Sequence, residues 1–190
     1  MVNLPNTLTL ARICLVPVLI TVHYLPYPWA GAAAATIFVV AALTDWLDGW
    51  LARRLDQTSR FGAFLDPVAD KIMVAAALVL LVQADPRAAL ALPAVIIIGR
   101  EIAVSALREL MAELGQRAKV AVATVGKVKT AAQMTAIALM LYHDPIAGLP
   151  VYRAGFLLLQ VAAVLTLWSM LVYLRAAWPL IGPRASRDSL

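Results

Sequence analysis

Charge is scarce in this sequence. Only 14% of its 190 residues are Asp, Glu, Lys or Arg and 63% are hydrophobic, whereas a soluble domain carries about 25% and 45–50%. With a mean hydropathy of +0.84, this composition excludes an ordinary water-soluble globule and predicts an integral membrane protein. Cysteine is nearly missing. The lone Cys14 excludes an intramolecular disulfide and any cysteine metal cluster, and its apolar surroundings read as a small core residue. No polar stretch is long enough to mark a domain boundary and no repeat is visible, so residues 1–190 are expected to form one membrane domain. The opening Met-Val-Asn-Leu-Pro-Asn has no basic n-region, and no cleavable signal peptide is expected. The charge that is present is basic, +5 net. In a membrane protein this points to loops facing anionic headgroups rather than to nucleic acid.

What remains is long apolar runs broken at turn signals. The expected fold is all-α and polytopic. An interfacial segment over residues 1–12, capped at Asn6 with Pro5 limiting its backward extension, precedes six transmembrane spans. These run over about 13–24, 29–53, 61–82, 88–114, 125–142 and 151–174, followed by a basic tail over 175–190. Tyr24, Tyr27 and Trp29 read as interfacial aromatics, and Pro67 is expected to kink the third span. Turns after spans one, three and five hold only Arg87 and Arg153 as cations, while the opposite side holds Arg12, Arg53, Arg54, Arg60 and the basic groups near 117–129 and in the tail. The positive-inside rule then places both termini in the cytosol.

Four carboxylates stand out against this background at two helical spacings. Asp45 and Asp48 are i and i+3, with Gly49 and Ala52 on the same face, and Gly62, Asp66 and Asp70 follow at i, i+4, i+8. An intramembrane carboxylate costs about 2.5–3.5 kcal/mol, so such groups are usually functional. Four together repel unless a cation neutralises them, and oxygen ligands suit magnesium or manganese shared with a phosphate. Two such ions would serve an in-line displacement at phosphorus. Asp70, furthest along the second face, is the candidate general base, and Arg53 a phosphate clamp. Gly49 and Gly62 either admit a pyrophosphate to the backbone or pack helices tightly. Arg100, Arg108, Lys119, Lys127 and Lys129 are candidates for holding an acceptor phosphate, with the lysines equally readable as topology signal. Arg100 and Glu101 are adjacent, so each is expected to find its own partner.

The run Asp45-x2-Asp48-Gly49-x2-Ala52-Arg53-x8-Gly62-x3-Asp66-x3-Asp70 resembles the signature of the CDP-alcohol phosphotransferase family at every fixed position. The resemblance implies transfer of a substituted phosphate from a CDP-linked donor to an alcohol, with release of CMP. It implies that Asp45, Asp48, Asp66 and Asp70 hold two divalent cations, Mg2+ or Mn2+, with Asp66 and Asp70 catalytic and Asp70 the proton acceptor. It further implies a CDP-donor site at Gly49, Ala52, Arg53, Ser59 and Gly62, approached by Asn6 and Thr9, and a homodimer. From about residue 3 to 175 the chain is similar to bacterial members of the family, through Asn3–Arg12, Thr44–Gly49, Arg60–Lys71, Arg100–Gly115 and Val125–Met134. That similarity implies CDP-diacylglycerol as donor, sn-glycerol 3-phosphate as acceptor, and a bacterial inner membrane with the site on the cytosolic side.

The motif spacing alone does not separate this acceptor from serine, inositol phosphate or a second lipid. A prenyl-transfer enzyme also uses aspartate-rich helices, but without the Gly-x2-Ala-Arg…Gly frame. A cation transporter would need charged or polar groups near mid-bilayer in several spans, whereas these carboxylates cluster at one membrane edge.

Overall fold

The computed structural model describes residues 4–55, 60–113 and 124–181, and side-chain surroundings within 7–45, 47, 65, 68–107, 109–111 and 128–175. Six helices make up the described residues: α1 (Leu4–His23), α2 (Ala30–Leu55), α3 (Arg60–Ala84), α4 (Ala88–Glu113), α5 (Thr124–Tyr142) and α6 (Val151–Ile181). The expected all-α architecture is what is found. α1 takes in most of the segment expected to be interfacial. It starts at Leu4, so Asn6 lies within the first turn and is not its cap. Pro5 is tolerated there because the first N–H groups of a helix have no intrahelical acceptor. α3 continues through Pro67 without interruption.

The polarity of the molecule is inverted relative to a soluble protein. Val79, Leu92, Val95, Leu157, Val164 and Trp168 are exposed, whereas Arg12, Arg100, Lys129 and Gln133 are buried. Apolar groups facing outward and charge facing inward are what a lipid solvent selects. Among the described residues two stretches are long and apolar enough to cross a bilayer, Ala88–Met111 and Val151–Arg175; Thr7–His23 and Ala30–Asp45 are shorter apolar stretches. At 1.5 Å per residue the first two reach roughly 36 Å, against about 30 Å of hydrocarbon.

Lipid supplies no hydrophobic drive between helices, so close backbone approach must hold them together. Two glycines permit it. A Cβ on Gly155 of α6 would lie 2.8 Å from Met140 Cγ and 2.9 Å from the Ala136 carbonyl oxygen of α5. A Cβ on Gly31 of α2 would lie 2.9 Å from the Tyr142 carbonyl oxygen at the end of α5. α5 is thus pressed between α2 and α6. Leu19, Phe38, Leu78, Leu90, Ile97, Ile137 and Leu159 fill the centre.

The turns over 24–29, 85–87 and 143–150 gather at one end. Tyr152, opening α6, donates its hydroxyl to Asp85 Oδ2 at 2.6 Å. Arg87 grips the same carboxylate through Nε at 2.6 Å and Nη2 at 2.5 Å. These donors hold the Asp85 carboxyl down to about 2, and the Asp85 carboxylate in turn pushes the Arg87 guanidinium upward. The α5–α6 turn carries left-handed residues at His143, Ala147 and Gly148, with φ of 64°, 50° and 80°. The clamp and this turn fix one end of the bundle, and the candidate site lies toward the other.

Candidate active site

Arg12 is the residue on which the site is assembled. It sits about 12 Å along α1 from its start, while Asp70 lies about 15 Å into α3 and Asp45 about 15 Å before the end of α2. Antiparallel neighbours starting from the same end therefore bring the three to one level. The Arg12 Nη1 donates to Asp45 Oδ1 at 3.0 Å and to Asp70 Oδ1 at 2.6 Å. The Arg12 side chain is 1% exposed and each carboxylate 42%. The cation is therefore buried behind two carboxylates that stay open in front. Burying a guanidinium is tolerable only against such charge-assisted bonds.

Two of the four expected carboxylates are thus shown to converge from separate helices. Asp48, Gly49, Ala52 and Arg53 continue α2, and Gly62 and Asp66 precede Asp70 on α3. By register Asp48 falls one turn after Asp45, and Asp66 one turn before Asp70. Their side chains lie outside the described residues, as do those of Asn6, Arg108 and Lys127. Ser59 and Lys119 lie outside the described residues altogether. Thr9 is fully buried one turn before Arg12.

In front of the two carboxylates opens a cavity of about 390 Å³, within the range of small-molecule sites. α1 to α5 all contribute to its wall. Its polar part holds Arg12, Asp45, Asp70, Lys71, Glu101 and Gln133; Met73, Ile98, Ile102 and Met134 make it apolar elsewhere. One space therefore offers anionic oxygens at one part and hydrocarbon at another, which suits an amphipathic substrate.

A second ionic cluster closes the α4–α5 side. Lys129 Nζ donates to Glu101 Oε1 at 2.8 Å, and Arg100 Nη1 donates to the same oxygen at 2.9 Å. Arg100 and Glu101 each find a partner on another helix, as expected, and in addition bond to one another. Both side chains are long enough to fold back toward one another from adjacent positions. Arg100 also donates through Nη2 to Ser169 Oγ at 3.3 Å and lies over the Tyr173 ring at 5.6 Å. It is buried against α6 and is not among the cavity-wall residues. Lys129 is buried as well, and reaches the cavity through Glu101.

Arg12, Glu101 and Gln133 had no site role in the sequence reading. A signal for Arg12 was present: Asn6, Thr9 and Arg12 recur every third residue, so they share one face of α1. Asp45 and Asp70 meet at the Arg12 guanidinium, and no group of three or more candidate metal ligands gathers among the described residues; the oxygen donors these two carboxylates carry are the kind magnesium and manganese prefer.

Comparison with known proteins agrees with this chemistry. The family model for CDP-alcohol phosphatidyltransferases matches residues 2–172. A curated relative from Pseudomonas fluorescens, named CDP-diacylglycerol–glycerol-3-phosphate 3-phosphatidyltransferase, is 57% identical over 178 residues, covering 93% of this chain and 91% of its own. Relatives of the same name from Salmonella choleraesuis and Escherichia coli K12 are each 57% identical over 175 residues, covering 92% of this chain and 94% of theirs. A match of this extent leaves no part of the described site outside the shared region, and the chain belongs to the CDP-alcohol phosphatidyltransferase family.

Proposed function

We propose that this chain transfers the phosphatidyl group from CDP-diacylglycerol to sn-glycerol 3-phosphate, giving phosphatidylglycerol phosphate and CMP. The observation that carries the reading is the pair Asp45 and Asp70, gathered by Arg12 at the polar part of a cavity that is otherwise apolar. The relatives' shared name supplies the donor and the acceptor.

The primary hydroxyl of glycerol 3-phosphate attacks the donor phosphorus that bears diacylglycerol. A new P–O bond forms, the P–O bond to the CMP phosphate breaks, and the hydroxyl proton passes to Asp70. Arg12 donates to Asp70 and fixes its carboxylate at the cavity wall, within reach of a bound hydroxyl as a general base must be. Asp45, Asp48, Asp66 and Asp70 would hold two divalent cations, magnesium or manganese, which supply Lewis-acid stabilisation of the attacking and leaving oxygens when bound. Arg53 clamps a donor phosphate, and Gly49 with Gly62 keeps the approach to the backbone open. Ala52, Ser59, Asn6 and Thr9 complete the donor side. Met73, Ile98, Ile102 and Met134 take the hydrocarbon nearest the headgroup. Arg108, Lys119 and Lys127 attract the acceptor phosphate, while Lys129 and Arg100 bear on it through Glu101. The six helices cross a bacterial inner membrane as a homodimer, with both termini and the site facing the cytosol.

The test is purified protein with CDP-diacylglycerol, a divalent salt and a panel of glycerol 3-phosphate, serine and inositol phosphate, reading CMP and the lipid formed. Phosphatidylglycerol phosphate from the first acceptor alone is expected. Faster product from either of the others would assign the same chemistry to a different alcohol, and no CMP with any acceptor would refute the transferase reading.

A further inference from the structure

The α5 wall holds a polar group that the reaction above leaves unused. Gln133 is 3% exposed and lines the cavity, and its Oε1 is buried with no hydrogen-bond partner among the described residues. Buried polar oxygens nearly always have a donor. An orphan oxygen on a cavity wall is placed to find its donor in whatever fills the cavity. The charged side chains nearest along this wall are already engaged. Lys129, one turn earlier on the same helix, donates to Glu101, and so does Arg100.

The chemistry of the orphan atom narrows its ligand. An amide oxygen accepts and does not donate. Phosphate and carboxylate groups bring only acceptors and would be repelled. A neutral hydroxyl brings the missing proton without charge. Glycerol 3-phosphate has two hydroxyls: the primary one reacts, and the one on C2 does not.

We propose that Gln133 determines acceptor specificity by accepting a hydrogen bond from the non-reacting C2 hydroxyl of a polyol phosphate. This rests on the transferase reading above. Held at C2, the acceptor has fewer ways to present its primary hydroxyl, so the bond serves orientation as well as selection. A site built around such a hydroxyl discriminates against the analogue lacking it, because the buried oxygen is then left unpaired.

The experiment uses the full-length protein with saturating CDP-diacylglycerol and divalent salt. It compares kcat/KM for sn-glycerol 3-phosphate with that for 3-hydroxypropyl phosphate, which lacks only the C2 hydroxyl. The unsubstituted protein should prefer the former about tenfold. In Gln133→Met, which keeps the bulk and removes the oxygen, the ratio should fall to about one. A purely structural role would lower both acceptors together and leave the ratio at its original value, which would overturn the proposal. Equal use of the two acceptors by the unsubstituted protein would overturn it without any variant. So would a Gln133→Met effect confined to the ratio between CDP-diacylglycerol and its 2′-deoxy analogue, since the oxygen would then be reading the donor ribose. Loss of the transferase reading has a different signature, namely no CMP from either acceptor in the unsubstituted protein.

Discussion

Arg12 and Asp70 are 58 residues apart in sequence and 2.6 Å apart in space. The same arginine nitrogen reaches Asp45 at 3.0 Å, so the first helix ties together the two helices that carry the aspartate motif. Removing this side chain leaves two neighbouring carboxylates without their shared counter-charge. Arg12→Ala should lower kcat/KM by about 100-fold or more, the scale on which misplacing catalytic groups by an ångström acts. Measuring CMP release beside far-UV circular dichroism checks this. Activity within about threefold of the parent, with helix content preserved, would show that Arg12 does not position the site.

Glu101 is the common acceptor for Arg100 and Lys129, and the two cations depend on it unequally. Glu101→Gln leaves both buried cations facing a neutral amide and should cost about 3–5 kcal/mol, as when one member of a buried ion pair is removed. Lys129→Met leaves Arg100 paired and should cost less. The double variant should be more stable than the sum of the two losses implies, because the groups share one network. Thermal denaturation in detergent gives all three values, and strict additivity would contradict the shared-oxygen geometry.

Helix packing makes a sharper contrast between glycines. Gly155→Leu places carbon against Met140 and the Ala136 carbonyl, and should destabilise by about 1–3 kcal/mol through overpacking. Gly99 has nothing within 4 Å of an added Cβ, so Gly99→Ala should be neutral or stabilising by up to about 1 kcal/mol, the helix-propensity gain. Equal losses at the two positions would contradict the close approach of α5 and α6.

The Asp85 clamp predicts a pH dependence with a definite sign. Its carboxyl is lowered from 3.8 to about 2 in the folded protein, so its contribution is complete above the unfolded value and lost as pH falls through the folded one. The stability difference between the parent and Asp85→Asn should be constant from about pH 5 upward and shrink as the pH drops below 4. Thermal midpoints across that range measure it. A difference that grows on acidification would mean the carboxylate is not held ionised by Arg87 and Tyr152.

The helices were legible because apolar runs and turn residues report directly on a lipid environment. The convergence of Asp45 and Asp70 was legible too, since helical spacing and an antiparallel connection suffice to bring the two faces together. Arg12 was harder to see. Counted as topology signal, it is buried inside the bundle, and a charge count does not distinguish a cation facing headgroups from one neutralising a carboxylate. Lys129, read as either an acceptor-phosphate group or topology signal, is buried against Glu101. The Arg100–Glu101 bond was missed because backbone direction was allowed to decide for side chains long enough to turn back. Gln133 carried no signal, because an uncharged amide in an apolar helix acquires meaning only once its missing partner is visible.

In the proposed reaction aspartates from two helices act together on a CDP-activated lipid, with Asp70 taking the acceptor's proton. The most direct measurement is CMP release from CDP-diacylglycerol and glycerol 3-phosphate by Asp70→Asn, compared with the parent at equal amounts of folded protein. A loss of about 10²–10⁴-fold, the range for removing a general base, is predicted. Turnover equal to the parent's would contradict it.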